Sequence, residues 1–453
     1  MKYIVAVTLS VFLFLDSFAQ ITVTIGSDEE EIYPFEINQP GLYSEWMKND
    51  TAFSEIEIFG MGEATHGTKE FFDIKAKTFE YLVTNCNYKV FGIEASYGEC
   101  NYINDYLNSG IGSIDSVMLN FSFIMWRTQE VKELILWMKN YNQQCPDSAK
   151  ISFYGFDMQD IYFPLKYLID FVKSDTLLNY QELATIVRPV ISKSSPQRYA
   201  ALSSKESKYQ DTLRAVHSLL TNWMNKNESY LAKKYPNKKC IQLRMCVDNF
   251  EQAKNGWQER TFKENNTYRD SCMAYNVLRI HALENSKMFI WAHNGHVALS
   301  QYPGESPYAK SKPMGSFLKR ELGSGYYSIG FIFNEGYFQA YTDVEKNKGD
   351  GVFKKLFYKR QYQVMWSECS VPAYEKNTLT NAFSATNVDA FFIDINASGN
   401  SIFSTTQFTY WLGAAFYGIE KSSVEIIAKK QFDGLIYINN TTRAVPLDKS
   451  SLE

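Results

Sequence analysis

The stretch Ile56-Glu-Ile-Phe-Gly-Met-Gly-Glu63-Ala-Thr-His66-Gly-Thr-Lys-Glu70, with the pattern Phe71 to Val83 and the run Tyr88-Lys-Val-Phe-Gly-Ile-Glu94-Ala behind it, decides the fold. The two outer runs are short, apolar and β-branched or aromatic, whereas Phe72, Ala76, Phe79 and Val83 between them recur at helical spacing. The order is strand, loop, helix, strand, which fits a crossover between parallel strands. Ligands gather at the carboxyl ends of such strands. Glu63 and His66 leave the first strand at that end and Glu94 leaves the second at the same edge, so two carboxylates and an imidazole converge on one rim.

That trio has the makings of acid/base chemistry. Imidazole is the side chain whose pKa lies nearest neutrality, and a carboxylate on its second ring nitrogen fixes the tautomer and stabilises the imidazolium. His66, with Glu63 or Glu94 behind it, is equipped to activate water; the competing reading is a histidine satisfied by loop backbone. Lys287-Met-Phe-Ile-Trp-Ala-His293-Asn-Gly-His296 repeats the pattern, an apolar strand ending in imidazoles. The chain holds five histidines, and three of them follow predicted strands. Ile151-Ser-Phe-Tyr-Gly-Phe-Asp157 brings a third acidic group to a strand's carboxyl end, where a turn or helix-cap aspartate is the alternative.

These motifs recur in a known order. Gly62-Glu63-Ala-Thr-His66-Gly-Thr-Lys-Glu70-Phe71, Ile93-Glu94-Ala95, Trp126-Arg127-Thr-Gln-Glu130, Gly155-Phe-Asp157, Arg269-Asp270 with Met273-Ala274, Trp291-Ala-His293-Asn294-Gly-His296, and Met314-Gly315 before Ile329-Gly330-Phe331 together resemble the motif series of the erythromycin esterase family, over roughly residues 30 to 445. The resemblance implies a hydrolase more firmly than it implies erythromycin, because the family includes macrolide-lactone hydrolases and many members of unassigned substrate. It supports His66 most among the site residues. Lysine stands at Lys69 and Lys75, where relatives often carry arginine, a departure that bears on ligand contact.

Met1-Lys2, the apolar stretch Tyr3 to Leu15 and Ser17-Phe18-Ala19 read as a signal peptide over residues 1–19, cleaved after Ala19, which makes the expected location periplasmic or extracellular. No later segment reaches the apolar length of a membrane helix, so no membrane insertion is expected after cleavage. The 453 residues suit one large domain plus a subdomain. With 21% charged residues and a formal net charge of -4, the chain gives no reason to expect nucleic acid or an anionic membrane as partner. Tyr 31 and Phe 32 are high counts that suit a pocket for a bulky ligand, or simply an aromatic-rich core. Seven cysteines without a Cys-x-x-Cys argue against a zinc ribbon or redox motif, and none is assigned as nucleophile.

Beyond Asp157, residues from Tyr162 to about Glu284 are helical almost throughout, which reads as a helical insertion, or cap, between two core strands. His217 and His281 lie in or beside apolar stripes and read as structural. Arg269-Asp270 reads as a family motif or as ordinary first-turn charges. Strands resume at Tyr327 to Phe333, Val388 to Ile395 and Phe432 to Ile438, with Phe338 to Tyr341 as an edge piece. The expected fold class is α/β, a mainly parallel sheet flanked by helices with a helical cap insertion. No Gly-rich phosphate loop and no Gly-x-Ser-x-Gly elbow occur, which disfavours a serine hydrolase.

The leading expectation is a metal- and cofactor-independent hydrolase of a small-molecule ester or lactone. His66 is the general base, Glu63 and Glu94 orient the imidazoles, and His293 assists as acid or electrophile. Lys75, Arg127, Asp157 and His296 are expected against substrate, with an Arg127–Glu130 pair as the structural alternative for Arg127. A zinc hydrolase using His66, His293, His296 and a carboxylate is the second reading, and an inactive secreted binding protein the third. Substrate choice is expected to reside in the cap.

Overall fold

Strands that feed a sheet covered on both faces carry large apolar residues on both sides, and these do. The computed structural model describes residues 20–37, 53, 55–192, 207–256, 260–305, 309–345, 362–374 and 378–447, so the signal peptide expected at residues 1–19 lies outside them. The strands are β1 (Ile21–Ile25), β2 (Asp28–Pro34), β3 (Ile58–Met61), β4 (Val90–Ser96), β5 (Ser152–Asp157), β6 (Met288–Trp291), β7 (Tyr326–Glu345), β8 (Tyr362–Val371), β9 (Ala390–Asp394), β10 (Gln407–Tyr410), β11 (Ser423–Ile426) and β12 (Gly434–Thr441). Ten of them form one sheet in the order β1-β2-β9-β12-β7-β3-β6-β4-β5, with β8 against β7, and β10 and β11 pair separately.

The six strands from β12 to β5 run parallel, whereas β9, β2, β1 and β8 are antiparallel additions at one edge and on β7. The expected mainly parallel α/β sheet is therefore the observed one. The crossover helix Lys69–Cys86 links β3 to β4 as expected, but the two strands are not neighbours: β6 lies between them. The predicted edge piece at Phe338 to Tyr341 is the distal half of β7, where β8 pairs with it.

Alternate residues of each parallel strand feed two cores. Phe59, Met61, Phe91, Ile93, Phe289, Trp291, Ile329 and Phe331 pack with Phe71, Phe72 and Phe79 of the crossover helix and with Leu134, Ile135 and Met138 of the helix Gln129–Gln144. Ile58, Val90, Met288, Ile290 and Ile332 face the opposite layer. That layer is built largely from the stretch expected as a cap: helices Tyr162–Ser174, Tyr180–Ile191, Ser207–Lys234, Asn237–Gly256 and Phe262–Glu284 share one continuous core with the sheet. His217 faces Glu251 and His281 faces Glu57, both away from the strand ends. All seven cysteines are free. Among the described residues no helix is long and apolar enough to cross a membrane.

Candidate active site

The glycines of the opening motif are set by the closeness of their neighbours. At Gly62 an added Cβ would lie 2.1 Å from Asn294 Oδ1, and at Gly67 it would lie 2.1 Å from the Gln339 carbonyl, so any other residue would push the loop off its neighbours. Asn294 ties this corner together. Its backbone N–H donates to the Glu63 carbonyl (2.9 Å), its side-chain amide donates to Phe331 O (2.8 Å), and Phe331 N–H donates to Asn294 Oδ1 (3.0 Å). The loop leaving β3 is thereby fixed to the strands on either side of it, and with it Glu63 and His66.

Glu63 is fully buried and accepts from three donors. His66 Nδ1 lies 2.6 Å from Oε1, while Oε2 takes Lys75 Nζ at 2.5 Å and Trp291 Nε1 at 2.8 Å. The carboxylate thus holds the proton on His66 Nδ1 and leaves Nε2 as the unprotonated nitrogen facing a cavity of about 440 Å³ that His66 lines. Lys75 has no exposed surface, its ammonium stands 4.5 Å from the Trp291 ring, and burial outweighs Glu63 to bring its pKa down to about 8. It does not line the cavity, so the substrate contact expected of it is replaced by a charge partnership with Glu63.

Glu94 sits where the pairing of β4 with β5 shifts register between Ile93 and Ser96, an irregularity that re-aims side chains at the sheet edge. Oε2 accepts the His293 N–H at 2.9 Å, and Oε1 lies 2.6 Å from Arg269 Nη2 and 3.2 Å from His296 Nε2. Burial alone would raise its pKa, but His296 and Arg269 hold it well below the ordinary carboxylate range. Arg269 also forks onto Asp157, Nε to Oδ1 at 3.1 Å and Nη2 to Oδ2 at 2.8 Å; Asp157 is fully buried and does not line the cavity, so this pairing replaces the substrate contact expected of it.

His296 is held between carboxylates: Nδ1 lies 2.8 Å from Asp270 Oδ1 and Nε2 faces Glu94. Burial opposes its charge, yet Asp270 and Glu94 raise its pKa to about 10. The imidazolium is the sound assignment, since otherwise one guanidinium would face Glu94, Asp157 and Asp270 alone. The 3.0 Å approach of Arg269 Nη1 to Nε2 is then a contact of two donors sharing Glu94. Among the described residues no group of three His, Cys, Asp or Glu is placed to hold a metal ion.

His293 differs from His296. It caps the short helix Asn294–Val297 through Nδ1, which accepts the Gly295 N–H at 3.1 Å, so its proton sits on Nε2. Burial, and after it His66, push its pKa well down, with Glu94 and the Ala64 carbonyl opposing. The neutral ring presents a buried Nε2–H that has no hydrogen-bond partner of normal geometry, 5.2 Å ring to ring from His66. A polar hydrogen left so in a cavity wall is a donor held ready for a ligand oxygen.

Two expectations need correction. Arg127 points its guanidinium at the Phe121 carbonyl (2.9 Å from Nε, 2.5 Å from Nη2) and does not line the cavity; the alternative pair with Glu130 is also not formed, because that carboxylate accepts Val445 N–H. Arg269 and Asp270 are not first-turn charges. Their helix starts at Phe262 behind the cap Thr261, which puts them about two turns inside it; the family-motif reading of Arg269-Asp270 was the signal available from sequence. Trp126, quoted in the motif series without a role, is a cavity wall, as are Tyr302 and Trp411, which lie in segments without a readable period.

The family model described as erythromycin esterase matches residues 83–441. The erythromycin esterase type II of Escherichia coli is 24% identical over 338 residues, covering 70% of this chain and 78% of that protein. A succinoglycan biosynthesis protein of known crystal structure superposes with a TM-score of 0.73 at 20% identity, covering 92% of this chain and 96% of the other. A mutant of the erythromycin esterase EreC in its open conformation gives 0.62 at 17% identity, with 92% and 98% covered. At these identities the solved structures speak for the fold alone.

Proposed function

The chain belongs to the erythromycin esterase family and is a hydrolase, and from that premise we propose that it cleaves a carboxylic ester or macrolide lactone with water activated by His66. The observation that carries the proposal is the Glu63–His66 contact at 2.6 Å, with Nε2 of the same ring turned to the cavity. Nε2 takes a proton from water as the oxygen attacks the carbonyl carbon, and Glu63 stabilises the imidazolium through Nδ1–H. The negative charge that develops on the carbonyl oxygen is met by the Nε2–H of neutral His293. Collapse of the tetrahedral intermediate expels the alcohol oxygen, which recovers the proton from His66, so acid, alcohol and the starting enzyme result. Arg269, Asp157, Asp270 and His296 form the charged scaffold that fixes Glu94, and Glu94 fixes the backbone of His293.

Replacing His66 with Ala tests this. A general base contributes about 10² to 10⁴ in rate, so turnover of a small ester should fall by at least two orders of magnitude while the circular dichroism spectrum and melting temperature hold. A variant within about threefold of the parent would sink the mechanism.

A further inference from the structure

The cavity mouth differs in charge from its floor. On the floor every carboxylate is engaged, Glu94, Asp157 and Asp270 by Arg269 and His296, and Glu63 by Lys75. The mouth carries the exposed lysines Lys312 and Lys421, and neither has an ion-pair partner among the described residues. Lys312 is shared with a second, open groove whose wall holds Arg260, Lys263 and Lys310 beside one carboxylate, Glu264, with Lys310 itself ion-paired to Glu305 at 2.7 Å. That carboxylate is tied to its own helix start, accepting Thr261 N–H at 2.9 Å and Thr261 Oγ1–H at 2.8 Å. A chain of net charge -4 has thus gathered Arg260, Lys263, Lys312 and Lys421, none of them ion-paired among the described residues, along one path into its cavity.

A second, independent feature lies at the same place. Asn266 Nδ2 and Ser311 Oγ both line the cavity wall and are buried polar atoms without a hydrogen-bond partner. Ser311 precedes Lys312 in the chain, and the Lys312 N–H donates to Thr267 Oγ1 at 3.1 Å, which seats the loop against the helix turn that carries Asn266. Two buried polar groups and the adjoining Lys312 therefore share one wall of the cavity. Buried donors left unmatched are unfavourable until a ligand supplies acceptors, and an anion supplies several at once.

We propose that the substrate is an ester bearing a carboxylate, sulfate or phosphate group, which Lys312, Asn266 and Ser311 bind at the cavity mouth while Arg260 and Lys263 draw it in along the open groove. This rests on the hydrolase reading above and narrows it, because an ester carrying a protonated amine would meet repulsion at the same mouth. One contact between an exposed lysine and an anion is worth a factor of about two to five, so two or three acting together give roughly a tenfold preference at low salt. The preference is screened as ionic strength rises.

The test measures kcat/KM of the purified protein on three aryl esters matched in size, with an anionic, a neutral and a cationic substituent, at about 20 mM and 500 mM salt. Affinities of the corresponding hydrolysis-resistant amides are measured alongside by titration calorimetry. The proposal expects anionic over neutral over cationic, a spread of about tenfold or more that shrinks in high salt. It also expects the anionic-to-neutral ratio to fall at least fivefold in Lys312→Glu, and less in Lys263→Glu. Lys173→Glu, a charge reversal on an exposed residue outside both cavities, should leave that ratio where it was. Equal rates on the three esters, or equal losses in Lys312→Glu and Lys173→Glu, would overturn the anion site and leave the hydrolase reading intact. Charge-selective binding of the amides without turnover of any ester would do the reverse, keeping the anion site and removing the esterase.

Discussion

Lys75→Gln removes a charge while keeping a hydrogen-bond donor beside Glu63, and it isolates what the buried ammonium does for His66. Lys75 Nζ and His66 Nδ1 contact the two oxygens of one carboxylate at 2.5 Å and 2.6 Å. One carboxylate bridges them, so the two nitrogens stand no more than about 7 Å apart, and a unit charge at that separation with an effective dielectric constant of about 20 is worth roughly 2 kcal/mol. With the ammonium present, Glu63 is neutralised and the imidazolium form of His66 gains less from it. With glutamine in its place, that carboxylate is compensated only by protonating His66. That energy corresponds to a displacement of about 1.5 pH units, because each unit is worth about 1.4 kcal/mol. The base form is what attacks through water, so the acid limb of kcat/KM should move up by the same amount, with a rate about 30-fold lower at a fixed pH on that limb. Lys75→Arg keeps the charge and should leave the limb in place. The assay is a pH–rate profile from pH 5 to 9 on a small ester, with circular dichroism at each end to confirm the fold. A Lys75→Gln limb that superimposes on the parent, or an equal displacement in Lys75→Arg, refutes the reasoning.

Two further outcomes concern the charged scaffold. His296 has a folded-state pKa raised from 6.5 to about 10, so its contribution is complete below pH 6.5 and is lost as pH climbs toward 10. The stability advantage of the parent over His296→Gln in urea unfolding should therefore shrink by about 3–5 kcal/mol between pH 6 and pH 10, and an advantage that stays flat or grows counts against the imidazolium. Arg269→Met leaves Glu94 and Asp157 buried without their cation and should cost about 3–5 kcal/mol of stability. Arg269→Lys should recover only part, because a point-charge ammonium cannot fork onto Asp157 while reaching Glu94; a loss under about 1 kcal/mol in the Met variant would remove Arg269 from the scaffold.

Some of this molecule is written locally and was readable without coordinates. Short apolar runs at Ile58–Met61 and Val90–Ser96 and the period-3.6 pattern at Lys69–Cys86 are properties each segment carries alone, so the α/β class and the strand ends bearing Glu63, His66, Glu94 and His293 followed from sequence. The glycines beside Glu63 and His66 were visible as letters, but their reason was not, since it is the side chain of Asn294 and the backbone of Gln339 that leave no room for a Cβ. What only the tertiary structure decided is who neighbours whom. Insertion of β6 between β3 and β4 brings His293 within reach of His66, although 227 positions separate them in sequence numbering, and no local periodicity encodes strand order. Lys75 was legible as a lysine where relatives often carry arginine and was expected against substrate, and Arg269 and Asp270 as a family motif or as helix charges. Their roles arise because the sheet brings carboxylates and imidazoles from distant segments into one low-dielectric space, where charges must be matched in three dimensions.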